Sequence, residues 1–202
     1  MAHYFTNDEV KSNEKTINIK IKDTDLKLIV DNGVFSKKGL DFGTRSLLES
    51  LDLKEIKGDI LDFGCGYGPI GIYLAKNTKS NIDMIDINER ALHLAEKNIK
   101  LNSVKANIYK SDYYSNINKN YDYIITNPPI RIGKQNLYKI LFESLNHLKE
   151  NGKLILVINK NQGAKTTLKD LNEKSNAIIK NKNKGLYIIE VQNRWHYMKK
   201  PL

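Results

Sequence analysis

ILDFGCGYGPIGI, residues 60–72, decides how this chain folds. Ile60–Phe63 is a short, mostly apolar run of strand length. Gly64, Gly66 and Gly68 follow at alternate positions, and the residues from Pro69 to Lys76 read as a helix. Proline suits the first turn of a helix, where its missing N–H would have had no partner. A strand, a glycine turn and a helix in that order put the turn at the carboxyl end of a strand, where open α/β sheets bind ligands. Glycine serves such a turn because it adopts positive φ and lets the backbone approach a ligand without an intervening Cβ.

The pattern repeats downstream. NIDMID (81–86) reads as a second strand, and Asn88 as the cap of a helix with Ala91, Leu92, Ala95 and Ile99 on one face. A short strand is expected near Ala106–Tyr109, another at YDYIIT (121–126), then a helix over Asn136–Leu148. Gly152 closes that stretch before the strand KLILVI (153–158) and a helix near Ala164–Asn172. Two last strands, near Ala177–Lys180 and Leu186–Val191, flank a turn at residues 181–185. Upstream, TINIKIK (16–22) alternates isoleucine with polar residues, and Leu26–Val30 precedes the turn Asp31-Asn32-Gly33, so a small hairpin is expected before a helix at Thr44–Leu51. Alternating strands and helices predict an α/β fold with a mostly parallel sheet and helices on both faces. The last two strands are joined too tightly for a helical crossover and should pair antiparallel. The expected organisation is one domain over 1–202, with a hairpin-and-helix extension at 1–52 and the core at 53–202.

Two constellations carry chemistry. Asp86 ends the second core strand, and a carboxylate there can accept hydrogen bonds from both hydroxyls of a ribose. Gly66-x-Gly68-x-x-Gly71 also fits a dinucleotide turn, with Asp86 near the expected spacing. Asp62 argues against that alternative, because a carboxylate before the glycines would repel a pyrophosphate but suit the ammonium of a methionine moiety. Gly64, directly beside the strand, argues the same way. The second constellation is Asn127-Pro128-Pro129-Ile130, directly after the fourth strand. Prolines alone could mark a stiff strand end; the asparagine needs another reason. An exocyclic amine is a poor nucleophile because its lone pair is delocalised. The Asn127 side-chain oxygen and the Pro128 carbonyl could each accept one of its N–H groups and aim the lone pair at an electrophile, which is catalysis by orientation and placed dipoles. The Asn-Pro-Pro motif has no role in hydride transfer, which also argues against the dinucleotide alternative.

The chain has 202 residues, 40% hydrophobic and 28% charged, ordinary for a globular domain. No apolar stretch approaches the roughly 20 residues needed to cross a bilayer, and MAHYFTNDEV does not read as a secretory signal, so a cytoplasmic protein with no membrane partner is expected. Cys65 is the lone cysteine, and His3, His93, His147 and His196 are scattered, so no metal is expected. The net charge of +10 fits an anionic partner such as nucleic acid. It equally fits A·T-rich coding, since arginine occurs only at Arg45, Arg90, Arg131 and Arg194.

DFGCGYG, Asp86 and NPPI together resemble the class I S-adenosylmethionine-dependent methyltransferases that act on amino groups. GVFSKKGLDFGTRSLLE (33–49), Lys110-Ser111-Asp112 and NPPIRIGK (127–134) narrow the resemblance to the RsmC-like methyltransferases of small-subunit ribosomal RNA, which modify the guanine 2-amino group. That resemblance implies a Rossmann-like, seven-stranded sheet with the last strand antiparallel, and S-adenosylmethionine held by Thr44, Asp62, Gly64, Cys65, Gly66, Asp86, Ile87, Asp112 and Asn127. Asp112 would lie beside the adenine amino group and Thr44 near the methionine end. Asn127 and Pro128 are the expected catalytic pair. Pro129, Ile130, Arg131, Lys134, Lys160 and Gln162 are the expected substrate contacts. The partner implied is RNA, ribosomal RNA or the small ribosomal subunit.

Two departures matter. No counterpart of the N-terminal half of the two-domain members is expected from these 202 residues, and Ile130 stands where members of the family with NPPF or NPPY carry an aromatic ring that stacks on the target base. The alternative acceptors are the adenine 6-amino group and a glutamine amide in protein. A different class of function is an RNA-binding ribosome-assembly factor that has lost catalysis. The basic aromatic tail Arg194–Lys200 either packs on its own domain or meets RNA.

Overall fold

The structure is a computed structural model, and it describes residues 11–34, 39–129 and 132–193. Strands β1 (Lys15–Ile21) and β2 (Thr24–Val30) form an antiparallel hairpin with Lys15 opposite Val30. Helix α1 (Phe42–Ser50) leads into β3 (Asp59–Phe63), α2 (Pro69–Asn77), β4 (Asn81–Asp86), α3 (Glu89–Leu101) and β5 (Asn107–Lys110). Then come β6 (Tyr121–Thr126), α4 (Lys134–Asn146), β7 (Leu148–Asn159), a single 3₁₀ turn at Lys160–Gln162, α5 (Ala164–Lys174), β8 (Ser175–Asn183) and β9 (Leu186–Asn193). The seven-stranded sheet has the order β5-β4-β3-β6-β7-β9-β8. β9 runs antiparallel to both neighbours, and the β3, β4, β5, β6 and β7 pairings are parallel. This is the expected architecture, hairpin included.

The central strands lack polar alternation because both faces of the sheet are covered. Along β3, Ile60 enters one core and Leu61 the other; Met84 and Ile85 divide in the same way on β4. The first core is filled by the hairpin (Ile21, Leu26, Leu28, Val30), α1 (Leu47, Leu48), α2 and α3. The second is filled by α4 (Leu137, Ile140, Leu141, Leu145) and α5 (Ala164, Leu171).

Three boundaries differ from expectation for identifiable reasons. Helix α4 stops at Asn146, because the His147 carbonyl accepts the Tyr121 N–H (2.8 Å) and Leu148 already pairs with Tyr121. Gly152 lies inside β7, beside a register shift, with Asn151 at φ 65°. A Cβ on Gly152 would sit 2.7 Å from the Tyr121 carbonyl oxygen. The final turn is only Lys184-Gly185, both at positive φ, so β8 and β9 extend toward each other until Asn183 opposes Leu186.

The hairpin is fastened to the core through side-chain amides. Asn98 on α3 and Asn102, the residue capping its C-terminus, are four residues apart and share one face. Asn98 accepts the Ile29 N–H (2.6 Å) and donates to the Ile29 carbonyl (2.9 Å). Asn102 accepts from Lys27 N–H (3.2 Å) and donates to the Lys27 carbonyl (2.7 Å). Each carboxamide stands in for the peptide group of a further strand along β2. Asn98 also donates to the carbonyl of Tyr67 (2.9 Å), which joins the glycine turn to the same anchor. Asn98 is wholly buried, so Asn98→Ala strands buried polar groups and is expected to cost about 2–4 kcal/mol, read as a lower urea midpoint with an unchanged slope.

Candidate functional site

The carboxyl ends of β3 through β7 surround a cavity of about 760 Å³. Each of these strands, or the loop just after it, contributes to the lining: Phe63 and Gly64 after β3, Asp86 and Ile87 after β4, Ser111 and Asp112 after β5, Asn127 and the two prolines after β6, and Asn159 at the end of β7. The remaining wall is mostly apolar, with Val34, Val157 and Leu186 among its side chains.

The glycine turn is shaped by two different demands. Gly64 (φ 70°) and Gly66 (φ 56°) hold left-handed backbone, and a Cβ on either would meet nothing within 4 Å. Gly64 lines the cavity, so its missing side chain keeps ligand space open. Gly68 and Gly71 are instead filled from behind. A Cβ on Gly71 would lie 2.6 Å from the Met84 sulfur, and one on Gly68 would lie 2.8 Å from Met84 Cε. These two glycines let α2 lie close on β4.

Asp86 pins the turn in place. One carboxylate oxygen accepts the Gly66 N–H and the other accepts the Asn88 N–H, each at 2.9 Å. Burial pushes its pKa above the ordinary carboxylate value, and the backbone N–H groups of Asn88, Gly66 and Ile87 oppose that rise. Each oxygen keeps further lone-pair capacity, and the residue faces the cavity.

Asp62 is wholly buried and does not line the cavity. Its Oδ2 accepts the Gly71 N–H (2.8 Å), while its Oδ1 has no hydrogen-bond partner. Burial, with the Asp86 charge adding to it, lifts its pKa to about 7. The orphaned oxygen is sealed behind the turn, so a cationic group in the cavity would be drawn by its charge without touching it.

Asn127, Pro128 and Pro129 line the same cavity as Gly64 and Asp86, so the two sequence constellations meet. Among the other expected residues, Ile87, Asp112 and Gln162 are on the lining. Gly66 and Cys65 belong to the turn without lining the cavity, and the Cys65 thiol is buried. Thr44 stands behind Asn127 rather than on the wall, its hydroxyl oxygen accepting the Asn127 amide N–H at 3.0 Å. Lys134 is exposed, 3.5 Å from Asp170 and over the ring of Tyr138, and Lys160 is exposed beside Gly185; neither lines the cavity. Ile130, Arg131 and the 194–200 tail lie outside the described residues. Among the described residues no group of three or more His, Cys, Asp or Glu side chains is placed to hold a metal ion, and no helix is long and apolar enough to cross a membrane.

Sequence reasoning missed Asp41, Gly43 and Asn159, all on the lining. Asp41 had a signal, since an aspartate just before a helix reads as its N-cap, and its carboxylate does accept from the N–H groups of Gly43 and Thr44. Asn159 had one too, as it ends a strand at the same edge as Asp86 and Asn127.

Comparison with known proteins gives the chain a family and the fold its neighbours. The family model described as methyltransferase small domain matches residues 25–190. The uncharacterized protein YbxB of Bacillus subtilis (strain 168) is 43% identical over 196 residues, 94% of this chain and 98% of that protein. Ribosomal RNA small subunit methyltransferase C of Psychromonas ingrahamii is 38% identical over 151 residues, and the match spans 72% of this chain but only 43% of that protein. Among solved structures, the T. thermophilus 16S rRNA N2 G1207 methyltransferase (RsmC), in complex with AdoMet and guanosine, superposes with a TM-score of 0.77 at 20% identity, covering 93% of this chain and 52% of that one. That likeness speaks to the fold. The family match and the near full-length relative speak to descent, and the chain belongs to the methyltransferase small domain family.

Proposed function

We propose that this chain transfers the methyl group of S-adenosylmethionine to an exocyclic amine, the 2-amino group of a guanine in 16S ribosomal RNA. The observation that carries the reading is the shared cavity: the Asn127 carboxamide and Pro128–Pro129 stand on the same wall system as Gly64 and Asp86. The relatives named ribosomal RNA small subunit methyltransferase C favour a ribosomal RNA acceptor, and the AdoMet and guanosine bound in the RsmC neighbour favour this cofactor and base. The net charge of +10 suits a polyanionic partner. The reading takes residues 1–202 as one methyltransferase unit, because the hairpin and α1 feed the same core as the central sheet.

The donor set fits the cofactor. The open space at Gly64 accommodates a ligand against the turn, Asp86 offers acceptor capacity to ribose hydroxyls, and Asp112 reaches the lining where the adenine would sit. Ile87 gives that base an apolar neighbour. The orphaned Asp62 oxygen suits the ammonium end, acting through the turn. When bound, S-adenosylmethionine supplies an electrophilic methyl. The protein's part is placement: the Asn127 oxygen and the Pro128 carbonyl accept the two amine N–H groups, and the nitrogen lone pair then faces the cofactor side. No strong base is required, because the proton can leave after the methyl has moved. Pro129 stiffens the loop, and the reading assigns Gln162 on the lining, with the exposed Lys134 and Lys160 outside it, to contacts with the RNA. This reading leaves Ile130 and Arg131 as contacts to the target nucleotide.

Two experiments separate cofactor from acceptor. Asn127→Ala should lower the single-turnover methylation of 16S ribosomal RNA by about 10²–10³-fold, the scale for losing one placed dipole, while calorimetry finds cofactor affinity within about twofold of the parent. Asp86→Ala should weaken cofactor binding by about 1.5–3 kcal/mol; unaltered affinity would remove Asp86 from the ribose. Mapping methylated guanines in 16S ribosomal RNA from cells lacking the gene identifies the target, and an unchanged map sends the search to adenine amines and protein amides.

A further inference from the structure

The Asn127 side chain is held from behind. Its Nδ2 donates one hydrogen to Asp41 Oδ1 (3.1 Å) and the other to Thr44 Oγ1 (3.0 Å). Asp41 Oδ1 is itself fixed, because it also accepts the N–H groups of Gly43 (2.9 Å) and Thr44 (3.1 Å) as the N-cap of α1. Thr44 is 4% exposed, so its hydroxyl has little freedom. The glycine between them leaves room for the arrangement: a Cβ on Gly43 would come 2.9 Å from Asp41 Oδ1 and 3.3 Å from Asn127 Nδ2.

A carboxamide is nearly symmetrical in shape and can turn over unless its partners tell oxygen from nitrogen. An ionised carboxylate accepts only. Turning the amide over would set the Asn127 oxygen against the Asp41 oxygen, acceptor against acceptor. Both N–H groups are used on this side, which leaves Asn127 Oδ1 as the free end of the amide. Asn127 is half-buried on the cavity lining, so its oxygen is left to accept from water or from a ligand that displaces the water and donates. The negative charge behind the amide also polarises it and strengthens the oxygen in front.

We infer that Asp41 and Thr44 are positioning residues that lock the Asn127 amide with its oxygen toward the acceptor, so the site selects ligands that present N–H. The inference rests on the amino-methylating reading above. It deepens that reading by assigning the selectivity to two residues of the α1 N-terminus rather than to the Asn-Pro-Pro segment alone. A ring nitrogen without hydrogen, or a carbonyl, would meet a lone pair with a lone pair. A primary amine or amide would be drawn in.

The test uses the full chain and three variants. Thr44→Val keeps the shape and removes the acceptor, Thr44→Ser restores the hydroxyl, and Asp41→Ala removes the carboxylate. The first readout is independent of turnover: solvent exchange of the Asn127 side-chain NH₂ in ¹⁵N-resolved NMR, identified by its loss in Asn127→Ala. Slow exchange in the parent and fast exchange in Thr44→Val supports the lock; equal exchange in both overturns it. The second readout is methylation of a 16S ribosomal RNA transcript, naked and assembled into small subunits. Thr44→Val should lower kcat by about 10- to 100-fold, the scale of a mispositioned reacting pair, with cofactor affinity unchanged, and Thr44→Ser should recover most of the loss. In an Asn127→Ala background Thr44→Val should cost nothing more, since the group it positions is gone. An equal loss in both backgrounds would mean a merely structural role and overturn the inference. If the parent methylates neither substrate, the proposed RNA acceptor fails while the NH₂ exchange still decides the lock. Thr44→Val carries the test should Asp41→Ala, which removes a helix cap, fail to fold.

Discussion

The close approach of α2 to β4 governs the rest of the molecule. Met84 fills the space that side chains on Gly68 and Gly71 would need, so the helix axis lies near the sheet and the preceding turn bends sharply over the strand ends. A looser approach would lift the turn away from Asp86, whose carboxylate reaches Gly66 and Asn88 only across short distances. Those bonds hold the turn as one wall of the cavity. Packing density behind the turn and empty space in front of it are therefore two sides of one constraint, and the glycine at 64 serves the second while those at 68 and 71 serve the first.

That division was only partly legible in the sequence. Four glycines after a short strand announce a turn at a sheet edge, and the strand order follows from alternation plus a tight final connection. What the residues could not announce is which glycine faces ligand and which faces methionine, because Met84 lies on another strand. The same holds for buried polar groups. Asp83 is 2% exposed and is satisfied by Tyr121, Asn107 and Lys119, partners brought in by sheet pairing. Asn98 sits beside Ile99 on a helix face that reads as apolar, yet the face is chosen by amides as much as by side-chain carbon. Boundaries slipped where tertiary bonds overrode local preference, as at His147, where a strand carbonyl contact ends the helix two residues early.

The site itself was legible at its two poles and obscure between them. Asp86 ends a strand and Asn127 follows one, and each carries the right functional group, so position rule and chemistry agree. Thr44 was placed near the cofactor by likeness to other proteins; its hydrogen bond places it behind Asn127. Lys134 and Lys160, expected as substrate contacts from their places after the fourth and fifth core strands, rest beside Asp170 and Gly185 and off the cavity lining. Charge marks a long side chain without saying where its end rests, whereas a short carboxamide at a strand terminus has few places to go.

The amides of Asn98 and Asn102 have one more effect. A two-stranded ribbon ordinarily offers its outer edge to any extended chain that passes, which is a route to unwanted association. Here the backbone groups of Lys27 and Ile29 on that edge are already occupied by groups shaped like peptides. The β2 edge is thus insulated from strand addition at Lys27 and Ile29, and shielding of that edge and attachment of the ribbon are accomplished by the same four bonds.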